Sequence, residues 1–393
     1  MSKPTNCHNQ AIFFKHLWLT RQCQFSLAVT TFAWLGFAMS PASAASFYSI
    51  TDLNNFGGKF NFIAARGINN KGQVVGIAET ASGNTTQAFL YSDNKLQNFG
   101  TFGGPNSSAS GINDKGQVVG TSETASGAFG AFLYSNGRLK NLGVLGSEAS
   151  SINNKSQVVG SFSTANGEIR PFLYSDGKLK DLGTFGGSYS DALGINNKGQ
   201  VVGTSTTASG DFRAFLYSDG KLKDLGTLGG YPSSVATAIN NKGQVVGTWN
   251  SVSGDTTRAF LYSGDKLKDL GTLGGNYAMA DGINDKGQVV GTSRNASGDM
   301  EAFLYDDGKL QNLNSLISPK SGVSLSEAYG INEIGQIIAS GSDGGIAFDH
   351  AYLLTPESPA PVPEPSSALG TLVFGALSAG WMLQCKLKKS NLA

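Results

Sequence analysis

From Phe47 to Leu354 the chain alternates short apolar runs with clusters of Gly, Asn, Asp and Ser, four runs to a cycle. The fourth cycle is the cleanest: Asp191 to Asn196 (DALGIN), Gln200 to Ser205 (QVVGTS), Arg213 to Ser218 (RAFLYS) and Lys221 to Gly226 (KLKDLG). Val, Ile, Phe and Tyr dominate these runs and turn-forming residues bound each one, a pattern that predicts β-strands and leaves helix almost no foothold. The cycle recurs. Ile-Asn pairs end at Asn69, Asn113, Asn153, Asn196, Asn240, Asn284 and Asn332, spaced 44, 40, 43, 44, 44 and 48 residues apart. Seven copies at that period announce a repeat architecture.

The turns set the pairing. Asn196 to Gly199 (NNKG) joins the first run to the second, and Asp219-Gly220 joins the third to the fourth; Asp176-Gly177, Asp307-Gly308 and Asn136-Gly137 recur at the second place. Two-residue loops of this kind supply the positive φ of tight antiparallel hairpins. Four antiparallel strands per copy are the unit of a β-propeller blade, whereas a parallel β-helix has no use for hairpins. The seventh copy has three runs, ending with His350 to Leu354, and no fourth; Phe47 to Gly58 (FYSITDLNNFGG) resembles the missing one. The expected fold is therefore all-β, a seven-bladed β-propeller of four-stranded blades over residues 45–354, closed by an N-terminal strand that completes the last blade and removes the open edge.

This topology sorts the loops between two faces. Both hairpin turns fall on one, carrying Lys71, Lys115, Lys155, Lys198, Lys242 and Lys286, with Ile334 in the seventh copy. The other face carries longer, variable loops, where binding residues usually sit on a rigid scaffold. Tyr189, Tyr231 and Tyr277 occupy nearly equivalent places there, with Phe60 and Phe62 in the first copy, amid Ser, Asn and Asp. Rings beside hydroxyl and amide groups suit a sugar, so these five are the candidate ligand-binding residues. The same rings could instead cap apolar gaps between blades. The Phe at Phe89, Phe132, Phe172, Phe215, Phe260 and Phe303 is expected to form the core between blades.

Composition narrows the chemistry. Cys7, Cys23 and Cys385 are the three cysteines, so the body from Ala45 to Gln384 has neither disulfide nor thiolate site. A formal charge of +1 with no clustered basic excess gives no nucleic-acid footprint. His350 is the one imidazole of the body, too few for a His-rich metal site or an obvious triad. Acids that could pair as in glycosidases are Glu79, Glu123, Glu148, Asp191, Asp281 and Glu327, but they do not recur in every copy. Asn113 to Gly116 and Asn284 to Gly287 (NDKG) have oxygen ligands but a Lys where calcium loops want a ligand, so turn chemistry accounts for them. No metal, no cofactor and no enzymatic activity are expected.

The ends read as addresses. Residues 1–44 form a signal peptide, with Phe25 to Met39 as its apolar run and cleavage after Ala44 or Ala45. Residues 355–367 are a Pro-rich linker, residues 368–385 an uncharged run long enough to span a membrane, and residues 386–393 a basic cytoplasmic tail.

The ordered set Val362, Pro363, Glu364, Pro365, apolar span and terminal Lys386, Lys388 and Lys389 resembles the PEP-CTERM sorting signal of Gram-negative bacteria. That resemblance implies recognition by an exosortase during transient membrane insertion, cleavage near Pro-Glu-Pro, and delivery to the cell surface or an exopolysaccharide matrix; a retained membrane anchor is the other reading of this tail. The repeat itself, G-I-N-N-K-G-Q-V-V-G followed by A-F-L-Y-S-D-G-K-L-K-D-L-G-T-L-G-G, resembles the HAF-repeat family of extracellular bacterial proteins over Phe47 to Leu354. The His of that family's name survives only as His350, and the resemblance implies an architecture and an address without an activity. Together these features lead to a secreted, non-enzymatic propeller that binds a glycan, such as exopolysaccharide, or another surface protein. A purely structural matrix component is the alternative, and a carbohydrate-active enzyme the third reading.

Overall fold

A computed structural model describes residues 48–54, 60–80, 85–229, 231–251, 253–344 and 350–357. These residues form 28 β-strands and two short 3-10 turns, Leu313–Leu316 and Pro319–Ser321. Among them no helix is long and apolar enough to cross a membrane. The signal cleavage site at Ala44 and Ala45, the sorting motif Val362, Pro363, Glu364 and Pro365, and the apolar run 368–385 lie outside the described residues.

The strands fall into seven antiparallel sets of four, one per sequence repeat. The fourth set consists of Gly186–Ile195, Val201–Thr207, Phe212–Ser218 and Lys221–Asp224, each paired with the next. In its second hairpin Asp219 and Gly220 both take positive φ, 52° and 78°, the geometry whose twist matches that of the strands it joins. The seventh set is Ser324–Ile331, Ile337–Ser342 and His350–Pro356, and its fourth member is Tyr48–Asp52, which runs antiparallel to His350–Pro356 from Tyr48↔Pro356 to Asp52↔Tyr352. Side chains reinforce this long-range pairing: His350 Nδ1 lies 3.2 Å from the Asp52 carboxylate, and Ala351 N donates to Asn54 Oδ1 at 3.0 Å.

Apolar clusters sit at the junctions between repeats. In the third strands of the first six repeats the Phe and Tyr face the preceding repeat and the Leu between them the following one, as Phe215 and Tyr217 pack with Val159 and Leu173 while Leu216 packs with Ala236 and Val245; Tyr352 and Leu354 take the Phe and Tyr places in the seventh. The expected core phenylalanines, from Phe89 to Phe303, are all buried. Ile338, Ala351 and Leu353 of the seventh repeat share a cluster with Ile63, Phe89 and Tyr91 of the first. At the outer strands, Nζ of Lys140, Lys180, Lys223 and Lys268 meets the Tyr hydroxyl of the next repeat at Tyr174, Tyr217, Tyr262 and Tyr305.

The invariant Asn does more than shape a turn. Asn196 Oδ1 accepts from the backbone N–H of Lys198 and Gln200, while its Nδ2 donates to Gln200 Oε1 at 2.8 Å and to the carbonyl of Asn240, in the next repeat, at 3.0 Å. The same inter-repeat bond links all seven copies in succession, and the last, from Asn332 Nδ2, reaches Asn69 O at 2.9 Å. The following residue adds a parallel series, as Asn197 N donates to Asn241 Oδ1 and Glu333 N to Asn70 Oδ1.

Candidate functional site: the axial funnel

Every repeat has a bulge at the same place in its first strand. The pairing with the second strand slips between Ala65 and Gly67, and at the equivalent place in the other six copies, leaving one extra residue each time: Arg66, Ser110, Ser150, Leu193, Thr237, Asp281 and Tyr329. A bulge leaves its extra residue out of the ladder and re-aims its side chain. Here it also brings the carbonyl of Asp191 so close to the second strand that a Cβ at Gly203 would lie 1.9 Å from it, which accounts for the Val-Val-Gly of that strand.

All seven extra residues line one cavity of about 440 Å³ on the face where the first strands begin. It continues past them into a waist of about 340 Å³ walled by Gly and Ile, and ends among the Ile-Asn pairs in a polar well of about 160 Å³. The passage is thus a funnel with its wide mouth on the variable-loop face. Its lining is uneven. Asp281, Tyr329 and Arg66 come from the sixth, seventh and first repeats, while Ser110, Ser150, Leu193 and Thr237 come from the second to the fifth.

Arg66 is exposed into this space, with its guanidinium 5.8 Å from the centre of the Tyr329 ring, and among the described residues it forms no ion pair. The Tyr329 hydroxyl bonds the carboxylate of Glu327, and burial, with Glu327 adding to it, pushes that hydroxyl up to about 12. Asp281 lines the funnel and is half-buried; burial pushes its carboxyl up to about 7, the charge of Glu327 contributing. A second acid pair forms between the third and fourth repeats. Burial pushes Asp191 up to about 6 against the hydrogen bond from Ser161, with Glu148 raising it further, and Asp191 Oδ1 has no hydrogen-bond partner. Four of the acids singled out from the sequence are thus brought together in pairs. Glu79 and Glu123 are not: Glu123 accepts from Asn106 Nδ2 at 2.8 Å.

The three candidate tyrosines have different surroundings. Tyr189 and Tyr277 lie inside first strands, Gly186–Ile195 and Gly274–Ile283, where each makes a single parallel bridge to the third strand of the preceding repeat, instead of in loops. Those strands start earlier than the apolar pattern indicates, because a bridge needs backbone alignment and no apolar side chain. Tyr189 is 36% exposed and meets Phe212, 40% exposed, edge to face at 5.7 Å between centroids. Tyr277 is half-buried beneath the Arg294 guanidinium. Tyr231, in the loop before Ser233–Ile239, packs against the cluster of Trp249 and Phe260. Phe60 and Phe62 belong to the backbone of the strand Phe60–Ile68. Among the described residues no group of three acids, His or Cys could hold a metal ion.

Apart from Asp281, singled out as an acid, sequence reasoning missed the bulge residues, although a signal for them exists. In the frame Ala-x-(Gly, Ala or Ser)-Ile-Asn, the Ala, Ile and Asn recur in all seven copies, and x changes from Arg through Ser, Leu and Thr to Asp and Tyr.

Comparison with solved structures places the chain among β-propellers. The β-propeller domain of the Trilobed protease from Pyrococcus furiosus, described as having an open velcro topology, matches at TM-score 0.50 and 9% identity over 79% of this chain and 99% of that one. The acylaminoacyl peptidase of Pyrococcus horikoshii matches at TM-score 0.49 and 12% identity over 75% of this chain and 51% of its own. A puromycin-hydrolyzing peptidase of Mycobacterium tuberculosis does so at 0.49 and 10% over 79% and 55%. The chain spans about half the length of these last two proteins. No protein-family model and no curated protein matches the sequence. At such identities the likeness shows the fold and assigns no peptidase chemistry. It nevertheless corrects one expectation: the chain was read as a non-enzyme, and since the β-propeller domain matched at TM-score 0.50 belongs to a protease, this architecture gives no ground for setting catalysis aside.

Proposed function

We propose that the chain is an exported, closed seven-bladed propeller that holds a glycan or a segment of another surface protein at the wide mouth of its axial funnel. Export and sorting follow from the signal peptide at residues 1–44 and the PEP-CTERM-like tail, with an exosortase as the transient partner and the cell surface or matrix as destination. Closure is supported by the pairing of Tyr48–Asp52 with His350–Pro356 and by the amide bond from Asn332 back to Asn69.

One observation carries the binding reading: at the bulge position, which lines the mouth of the funnel in every repeat, seven copies of one frame carry six different side-chain types. A purely structural ring would gain nothing from that variety. The cavity at the mouth falls in the usual size range of small-ligand pockets, roughly 300–1,000 Å³, and Tyr189 with Phe212 offers exposed rings on the same face. The test is a glycan-array screen of the purified chain beside its Ser150→Trp variant, in which the indole fills the mouth. Binding by the parent and none by S150W, at equal thermal midpoints, is the expected result. Equal binding by both would remove the funnel from the account, and then Tyr189→Ala reports whether the rim rings hold the ligand instead.

A further inference from the structure

The funnel's donors point to a ligand class, an inference that rests on the binding reading above. Arg66 is the sole cation in the lining, exposed and without an ion-pair partner among the described residues. Its guanidinium is held over Tyr329 at 5.8 Å, which steadies a planar fork that suits bidentate pairing with a carboxylate. The Tyr329 hydroxyl is occupied, since it donates to Glu327, so the seventh repeat presents a ring and a spent donor. The same lining holds Ser108, Ser110 and Ser150, with Thr237, whose Oγ1 donates to Ala280 O at 2.6 Å.

We propose that the funnel takes the terminal residue of an acidic glycan, a uronic acid whose carboxylate pairs with Arg66 while its hydroxyls meet Asp281 and the serines. A chain end fits better than an internal stretch because below the mouth the passage is walled by an Ile from each of the seven repeats. A uronate suits this lining because a sugar offers both hydroxyls and an apolar ring face, and the mouth sets Ser108, Ser110, Ser150, Thr237 and Asp281 beside the apolar Ile77, Ala109, Leu193 and the Tyr329 ring.

Asp281 then has a defined part. The groups facing it are Glu327 and Tyr329 from the strand Ser324–Ile331, Tyr277 on its own strand, Arg294 over that ring, and Arg66 on the same cavity. With its carboxyl raised to about 7 by burial and Glu327, Asp281 is neutral in mildly acid solution and donates a hydrogen bond; once ionised it repels an anionic sugar. Linkage gives the sign. If the bound state requires the proton, affinity is full below pH 6 and falls about tenfold between pH 6 and pH 8.

The experiment is calorimetric titration of the purified full chain with glucuronic acid and digalacturonic acid, against glucose and a peptide ending in a free carboxylate, at pH 6 and pH 8. Expected are binding of the acidic sugars at pH 6, a loss of tenfold or more in Arg66→Ala with partial recovery in Arg66→Lys, and a flat pH profile in Asp281→Asn. Equal affinity for glucose, or R66A as good as the parent, overturns the acidic-sugar assignment and leaves the funnel as a glycan site. Preference for the peptide overturns it in favour of a protein partner. If glycans of every kind are bound equally by the parent and by S150W, or by neither, the funnel reading itself has failed.

Discussion

Replacing Asn196 is the sharpest test of how the repeats are held together. Its side chain uses its full hydrogen-bonding capacity, two acceptances at Oδ1 and two donations from Nδ2, at 3% exposure. Ala would remove all four bonds and leave the N–H of Lys198 and Gln200 and the carbonyl of Asn240 to find other partners. At about 1 kcal/mol net per bond, with some relief from water at the turn, the loss is roughly 3 kcal/mol. For a body this large that lowers the thermal midpoint by about 6 °C. Asn196→Asp keeps the two acceptances but replaces the amide NH2, and with it both donated bonds, by a single oxygen that faces Gln200 Oε1 and the Asn240 carbonyl. The introduced carboxyl is then raised in the folded state, so its charge destabilises above the ordinary carboxylate range and the penalty shrinks as pH falls toward 4. Melting curves of N196A, N196D and the exposed-site control Lys198→Ala at pH 4 and pH 8 check both statements. A midpoint for N196A within a degree of the parent would refute the idea that this amide stitches repeats; a pH-independent N196D would refute the donor assignment.

Three further outcomes follow from the same geometry. Deleting Ala45 to Gly58 strips the strand that pairs with His350–Pro356 and uncovers Tyr352 and Leu354, so the midpoint of the whole body should drop; an unchanged midpoint would count against closure by this strand. Asp191→Asn removes a carboxyl raised to about 6, whose ionisation costs stability as pH climbs from about 4 through 6; the variant should melt higher than the parent at pH 8, by on the order of 1–3 kcal/mol, and match it near pH 4. Glu364→Ala should leave the protein in the membrane fraction, and normal release to the medium would dismiss the sorting reading.

How far the sequence could be read depended on how local each signal was. The period, the four strands and the Asp-Gly hairpins are written in neighbouring residues, since alternation and positive φ are properties of a few positions at a time. The run at Phe47 to Gly58 could be matched to a missing fourth strand because its likeness to the other copies survives the distance. Tyr189 and Tyr277 were read as loop residues because the bridges that draw them into strands are single backbone contacts to another repeat. The acids Glu148, Asp191, Asp281 and Glu327 were visible, but their pairing, 43 and 46 residues apart, depends on how adjacent repeats pack. The second role of the Asn was hidden for the same reason: its turn is local, and its bond to Asn240 is not.

The bulge position was the most informative feature and the least legible, and one physical cause serves both. A residue left out of the ladder contributes little to the core; of the seven, Tyr329 is the one that packs partly against an apolar cluster. Ala, Ile and Asn in the surrounding frame are fixed by burial and by inter-repeat bonds, so a change there lowers stability in every copy. Between them lies a position where Arg, Ser, Leu, Thr, Asp and Tyr are all compatible with the same backbone. Freedom from packing lets the seven copies diverge there, and the axis gathers the divergent side chains into one funnel. Among copied units, the place where sequence is least constrained by folding is the place where side chains can differ from copy to copy, as the proposed binding of one asymmetric ligand requires.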